Sequence, residues 1–245
     1  MIRGVTFDWW HTIAETPWPD YDERMRAIRV ARVRAVLETA HLAVDEASLY
    51  VAYDRLTDLL RGSWSRHMDL TAEEQIAAFL DGAGLDIRND GVRDSISEAF
   101  GGAIRVEPPI LYPNIADVLG RLRRDRYRVG LISNTGRTWG RILRPLQDDM
   151  GIGGAFHIRI FSDEVRVRKP DRGIFETALS ALGLGPHEVL HIGDDVDADV
   201  AGAKAVGMRT IWFNTGFWPE ARGDSADTEI HDHSELPAIL ARWSR

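Results

Sequence analysis

The sequence predicts an α/β protein, a Rossmann-like parallel sheet core with an inserted α-helical cap domain. Three observations carry this expectation. An apolar run, Ile2 to Phe7, stands alone at the N-terminus. A stretch of roughly 90 residues with helical periodicity and no convincing strand follows it. After Pro108-Pro109, short apolar runs and helical patterns alternate to the end, as in a mostly parallel sheet covered on both faces. The boundaries fall at residues 1–14 and 108–245 for the core and 15–107 for the cap.

Each element has its own local reason. Ile2 to Phe7 reads as a buried strand ending at Asp8, and the two prolines of Thr16-Pro17-Trp18-Pro19-Asp20 end any regular structure. Met25, Ile28, Val33, Val36 and Leu37 recur near helical spacing, as do Leu49, Tyr53, Leu56, Leu59 and Leu60. Thr71-Ala72-Glu73-Glu74 is a capping-box pattern before Ile76, Phe79 and Leu80, and a further helix is expected from Asn89 to Phe100. Asn114 is the expected cap of a helix with Ile115, Val118, Leu119 and Leu122 inward. Val129 to Ile132 is a strand stopping at Ser133-Asn134-Thr135-Gly136, then a helix from Thr138 to Leu146 and a strand from His157 to Phe161. Asp171 starts a helix that Gly183 ends. Val189 to Ile192 is a strand stopping at Gly193-Asp194, then a helix to Gly207, a strand from Thr210 to Phe213 and a helix from Glu235 to Trp243.

Composition excludes several classes. With no cysteine, the chain of 245 residues has no disulfide scaffold, zinc ribbon or thiol nucleophile. With 38 acidic against 30 basic residues the net charge is −8, which disfavours nucleic acid. No apolar run approaches the roughly 18 residues of a membrane span. Met1 to His11 contains an Asp and lacks a small-residue cleavage site, so a cytoplasmic location is expected. The eight tryptophans suit a pocket wall or an interface such as a homodimer. The arginine run from Arg121 to Arg128 and the five arginines from Arg24 to Arg34 read as solvated helix surface. Only two lysines exist, Lys169 and Lys204, so a compact ammonium retained at either position is informative.

Asp8, Ser133-Asn134 and Gly193-Asp194 all end apolar strands, where open α/β sheets bind ligands. Asp8, with an ordinary carboxylate pKa of about 3.9, is expected to be ionised and suits a nucleophile or a metal ligand. A second carboxylate, Asp194, repels it, and a hard cation such as Mg²⁺ relieves that repulsion. Ser133 offers a donor and Lys169 a positive charge. Two carboxylates, a cation, a lysine and a hydroxyl suit a phosphoryl group.

These segments resemble the four motifs of the haloacid dehalogenase superfamily. Phe7-Asp8-Trp9-Trp10-His11-Thr12-Ile13 resembles the first and Leu131-Ile132-Ser133-Asn134-Thr135 the second. Lys169-Pro170-Asp171 with Ile174-Phe175 resembles the third, and His191 to Asp195 through Asp199 to Ala203 the fourth. The helical insert sits where type 1 caps sit. The resemblance implies that Asp8 attacks the substrate and forms a covalent aspartyl intermediate. It implies that Thr12, Ser133 and Lys169 complete the catalytic group, with Trp10, His11 and Asn134 also at the substrate. Asp8, Asp194 and the Trp10 carbonyl would hold Mg²⁺, supported by Asp195 and Asp199, and the substrate would be a small phosphorylated molecule.

Position 10 departs from the pattern. Phosphatases of this kind usually carry a second Asp there, which protonates the leaving group and then activates water. Trp10 does neither, and losing such a group costs on the order of 10²–10⁴ in rate. His11 replaces a usual Gly; with a pKa of about 6.5 it is a candidate replacement acid if its ring faces the site. Two rival readings follow: a metal-free carbon–halogen hydrolase, which needs no proton donor, and a catalytically weakened binding or regulatory protein. Ser133-Asn134 also reads as a cap for the next helix, and Asp197 as a solvated helix start.

Overall fold

The computed structural model describes residues 1–243. The chain opens with β1 (Gly4–Phe7), buried on both faces, and a short strand β2 (Ala14–Glu15). Four helices follow: α1 (Tyr21–Thr39), α2 (Glu46–Trp64), α3 (Ala72–Gly82) and α4 (Asp90–Gly101). The chain returns through β3 (Ile110–Leu111), which pairs antiparallel with β2. Then come α5 (Ile115–Arg124), β4 (Arg128–Ser133), α6 (Gly140–Asp149), β5 (Ile158–Phe161), α7 (Ser162–Val165) and α8 (Arg172–Leu182). The chain ends with β6 (Val189–Gly193), α9 (Gly202–Ala205), β7 (Arg209–Phe213), β8 (Thr228–Ile230) and α10 (Leu236–Trp243).

Six strands form one parallel sheet in the order β5-β4-β1-β6-β7-β8, the Rossmann-like core that alternation predicts. The chain winds to one side of β1 through β4 and β5, then crosses to the other through β6. Such a reversal leaves a crevice beyond the C-terminal strand ends. Phe7 pairs with both Leu131 and Ile192, so Asp8, Ser133 and Asp194 emerge next to one another.

The helical stretch folds as a layer in which α1 packs on α4 and α2 on α3. Its sequence signals are real: Thr71 accepts from the Glu74 N–H and the Glu74 carboxylate accepts from the Thr71 N–H. Asp171 accepts from the Gly173 N–H, and Gly183 has φ 61°, the left-handed turn expected of a helix-ending glycine. The arginines of the Arg121–Arg128 run are exposed, as expected. No helix among the described residues is long and apolar enough to cross a membrane.

Several local expectations fail. Asn114 does not cap α5: it sits at φ 64° and donates to the Asp232 carboxylate instead. Leu59 is exposed on α2. The helix expected between Asp194 and Gly207 is a π-helical turn, Val196–Ala201, followed by the single turn α9. The strands β2, β3 and β8 were not expected, because two or three residues carry no periodicity.

Candidate active site

Asp8 leaves β1 with its N–H bonded to the Ile192 carbonyl at 2.9 Å. Lys169, buried, donates to Asp8 Oδ1 at 2.5 Å and to Asp199 Oδ1 at 2.6 Å. Asn134 fixes the lysine's backbone: its Nδ2 donates to the Lys169 carbonyl and its Oδ1 accepts from the Lys169 N–H. Thr12 donates to Asp194 Oδ1 at 3.2 Å. Ser133 is buried at the end of β4, and its hydroxyl makes only a long 3.5 Å contact with the Asn134 carbonyl.

Carboxylate oxygens of Asp8, Asp194 and Asp199 lie within 4.8 Å of one another. Asp199 gets this close because position 193 is glycine: a Cβ there would sit 2.1 Å from Asp199 Cγ. Asp195 lies outside this cluster and caps the π-helical turn, accepting from the Asp197 and Ala198 N–H groups. Asp197 is exposed, as expected.

Charge is unbalanced here. Burial raises Asp8 to about 7; Lys169 opposes this and Asp199 adds to it. Burial likewise raises Asp194 to about 8, helped by the charges of Asp8 and Asp199 and opposed by a Trp218 hydrogen bond. Burial would also raise Asp199, but the Lys169 ammonium and a His191 hydrogen bond outweigh it and hold Asp199 at about 2. Burial opposes the Lys169 charge, yet Asp199 and Asp8 keep its pKa above the usual lysine value. Strand-end position therefore does not by itself keep Asp8 ionised, as its ordinary pKa suggested. Ionising all three buried carboxylates beside one ammonium would leave two negative charges uncompensated, a demand that a divalent hard cation with oxygen ligands meets. The residues fit Mg²⁺ on that ground.

Four residues that sequence reasoning missed complete the surroundings. His191 bonds Asp199 Oδ1 at 3.0 Å and Thr6 Oγ1 at 2.9 Å. Burial lowers its pKa despite Asp199, so the ring is neutral. A neutral ring has one N–H, and the acceptor Asp199 fixes it at Nε2. A histidine inside the apolar run Val189 to Ile192 was the available signal. Trp218 Nε1 donates to Asp194 Oδ2 and Trp212 Nε1 to the Asp194 carbonyl, each at 2.8 Å. Asp69, from the loop after α2, accepts from Ser162 at 2.6 Å and Arg168 at 2.7 Å.

A cavity of about 390 Å³ is lined by residues that flank the cluster in sequence, Trp10, Asn134 and Arg168, while the clustered carboxylates and Lys169 are not on its wall. Trp10, His11 and Asn134 line its core side, and Met25, Arg29 and Trp64 its helical side. His11 adopts φ 54°, a left-handed backbone that explains the usual preference for glycine, and stacks on Phe217 at 3.6 Å. Burial, against a weaker pull from Asp22, lowers its pKa to about 4. Arg29 is buried, which overturns the solvated reading at that one position of the α1 arginines.

The haloacid dehalogenase-like hydrolase family model matches residues 2–207. The chain is similar to the glyceraldehyde 3-phosphate phosphatase of Methanopyrus kandleri, 28% identical over 100% of both chains. It is 35% identical over 130 residues to the glyceraldehyde 3-phosphate phosphatase of Pyrococcus furiosus, spanning 52% of each chain. The crystal structure of a 2-haloacid dehalogenase from Pseudomonas syringae pv. Tomato superposes with a TM-score of 0.70 at 24% identity, over 99% of this chain and 100% of that one. At that identity the likeness speaks for the fold. On the match across residues 2–207, the chain belongs to the haloacid dehalogenase-like hydrolases.

Proposed function

We propose that the protein is a Mg²⁺-dependent phosphatase acting on a small phosphorylated substrate through Asp8. The observation that carries this reading is the buried cluster of three carboxylates and one lysine, with its deficit of positive charge. A metal-free carbon–halogen hydrolase needs no cation, whereas the crowding of Asp194 and Asp199 against Asp8 favours one. The phosphatase names of the relatives point the same way.

Asp8 and Asp194 would hold the cation, with the backbone at Trp10. When bound, Mg²⁺ supplies positive charge that keeps both carboxylates ionised and offsets the charge of the phosphoryl group. An Asp8 carboxylate oxygen attacks phosphorus, and a phosphorus–oxygen bond forms as the bond to the leaving oxygen breaks. That oxygen departs with the electron pair. Water then attacks phosphorus, releases phosphate and regenerates Asp8. Lys169 neutralises charge on the aspartyl phosphate, and Asp199 and His191 hold the lysine in line. Asn134 positions Lys169 through its backbone, while Ser133 offers its hydroxyl to the phosphoryl oxygens. Thr12 steadies Asp194. Residues 1–14 and 108–245 would carry the chemistry, and residues 15–107 would cover it as a cap.

Nothing at position 10 donates a proton. His11 is neutral near pH 7 and stacked on Phe217, so it is a weak substitute. Substrates whose leaving oxygen needs no proton should therefore react best. The test is phosphate release from alkyl, aryl and acyl phosphates, with and without Mg²⁺. Release that requires Mg²⁺, disappears in Asp8→Asn and falls steeply with leaving-group basicity supports the proposal. Halide release from haloacids without metal, or no turnover in the panel, would sink it.

A further inference from the structure

Among the described residues, two arginines in the cavity have no carboxylate partner. Arg29, on α1, is 7% exposed; Nη2 donates to Thr138 Oγ1 at 2.9 Å and Nη1 to Tyr53 at 3.3 Å. Arg137, in the loop after β4, is half-buried; Nη2 donates to Thr57 and the guanidinium lies 4.7 Å from the centre of the Tyr53 ring. Both line the cavity, and Nε of each is buried without a hydrogen-bond partner. Among the described residues neither makes a salt bridge, although fourteen other arginines do. Arg168, on the same wall, is by contrast paired with Asp69.

Burying a guanidinium without a counter-charge is unfavourable unless something else supplies acceptors. Among the described residues the one carboxylate on the cavity wall is Asp22, which is exposed and acts on Arg137 only from a distance. Burial pulls Arg137 below its usual pKa, so an anion bound beside it would meet a poorly hydrated charge. Both guanidiniums meet at Tyr53 of α2, Arg29 reaching it from α1 and Arg137 from the loop after β4, and Trp10, His11 and Asn134 line the same cavity. A cavity of about 390 Å³ admits a compact molecule, and it is lined both by the two arginines and by Trp10 and Asn134, which lie close in sequence to Asp8 and Ser133.

We propose that Arg29 and Arg137 form a subsite for a second anionic group on the substrate, a carboxylate, so that the preferred class is small phosphorylated carboxylic acids. The subsite rests on the phosphatase reading for its orientation: the phosphoryl end lies at Asp8 and the carboxylate end at the arginines. A carboxylate offers two planar acceptor oxygens, the geometry guanidinium N–H groups match best.

Binding can be measured without turnover, which separates this inference from the reading it rests on. The full chain is titrated calorimetrically, in Mg²⁺, with phosphonoacetate and with methylphosphonate, which lacks the carboxylate. Phosphonoacetate should bind about tenfold tighter or more. That ratio should collapse towards one in Arg137→Gln and in Arg29→Gln, and persist in Arg34→Gln, an exposed arginine of the same helix. Should the buried Arg29 variant not fold, Arg137→Gln carries the test alone. Equal binding of the two phosphonates, or a ratio unchanged in Arg137→Gln, overturns the subsite. Phosphate release from neutral-tailed esters alongside equal binding would leave the phosphatase reading standing. A preserved ratio in a protein that hydrolyses no phosphate would keep the subsite and remove that reading.

Discussion

At the scale of single residues, the site is a relay of short contacts with one gap. Thr6 orients His191, His191 bonds Asp199, Asp199 holds Lys169 and Lys169 meets Asp8, each link buried. The proposed gap is the indole at position 10, where the phosphatases that the first motif resembles carry an acid. Trp10→Asp should raise hydrolysis of alkyl phosphates on the order of 10²-fold while changing aryl phosphates far less. Rates across a leaving-group series check this; no gain on alkyl esters would mean that proton donation does not limit the enzyme. The motifs made Asp8, Ser133, Lys169 and Asp194 legible. The perturbed acidity of Asp8 was not, because burial and neighbouring charge come from strands far apart in sequence.

At the scale of elements, the helical layer is tied to the sheet by a buried carboxylate. Asp69 accepts from Trp64, Ser162, Thr135 and Arg168, joining the end of α2 to the loop after β4, the start of α7 and the loop before α8. Backbone bonds from the Asp69 N–H to the Arg166 carbonyl and from the Arg168 N–H to the His67 carbonyl add to the seam. Asp69→Ala should lower stability by about 3 kcal/mol, because Arg168 and two buried hydroxyls lose their acceptor. Urea denaturation measures it, and a loss below about 1 kcal/mol would show that the seam is no stronger than a surface ion pair. In sequence this Asp had no motif around it. The capping box at Thr71, two residues later, was readable because its partners lie within four residues.

For the whole molecule, the proposed metal would couple charge to stability. Asp8 and Asp194 sit at about 7 and 8 when folded, above the ordinary 3.8 they regain on unfolding. The folded chain thus binds extra protons between those values, and these two groups make the metal-free protein less stable as pH rises through that window. Mg²⁺ held as proposed would need both carboxylates ionised, so its stabilisation should grow over the same rise. Thermal melting at about pH 6 and about pH 8, with and without Mg²⁺, tests this. The Mg²⁺-induced rise in Tm should be larger at the higher pH; an equal or smaller rise would count against Asp8 and Asp194 as ligands.

The sequence by itself determined the fold class, the helical insert and the strand-end residues. Those follow from hydrophobic periodicity and turn chemistry, which act over a few residues. It also showed a tryptophan at position 10, where the phosphatase pattern that the chain resembles has an Asp. Only the tertiary structure decided what these residues face. It turned Arg29 from a solvated helix position into a buried cavity wall, and set Arg137 beside it from another element. It recruited His191 and Asp69 as struts, and set three carboxylates against one lysine. Long-range packing fixes burial and charge neighbours, and those decide how a residue type behaves.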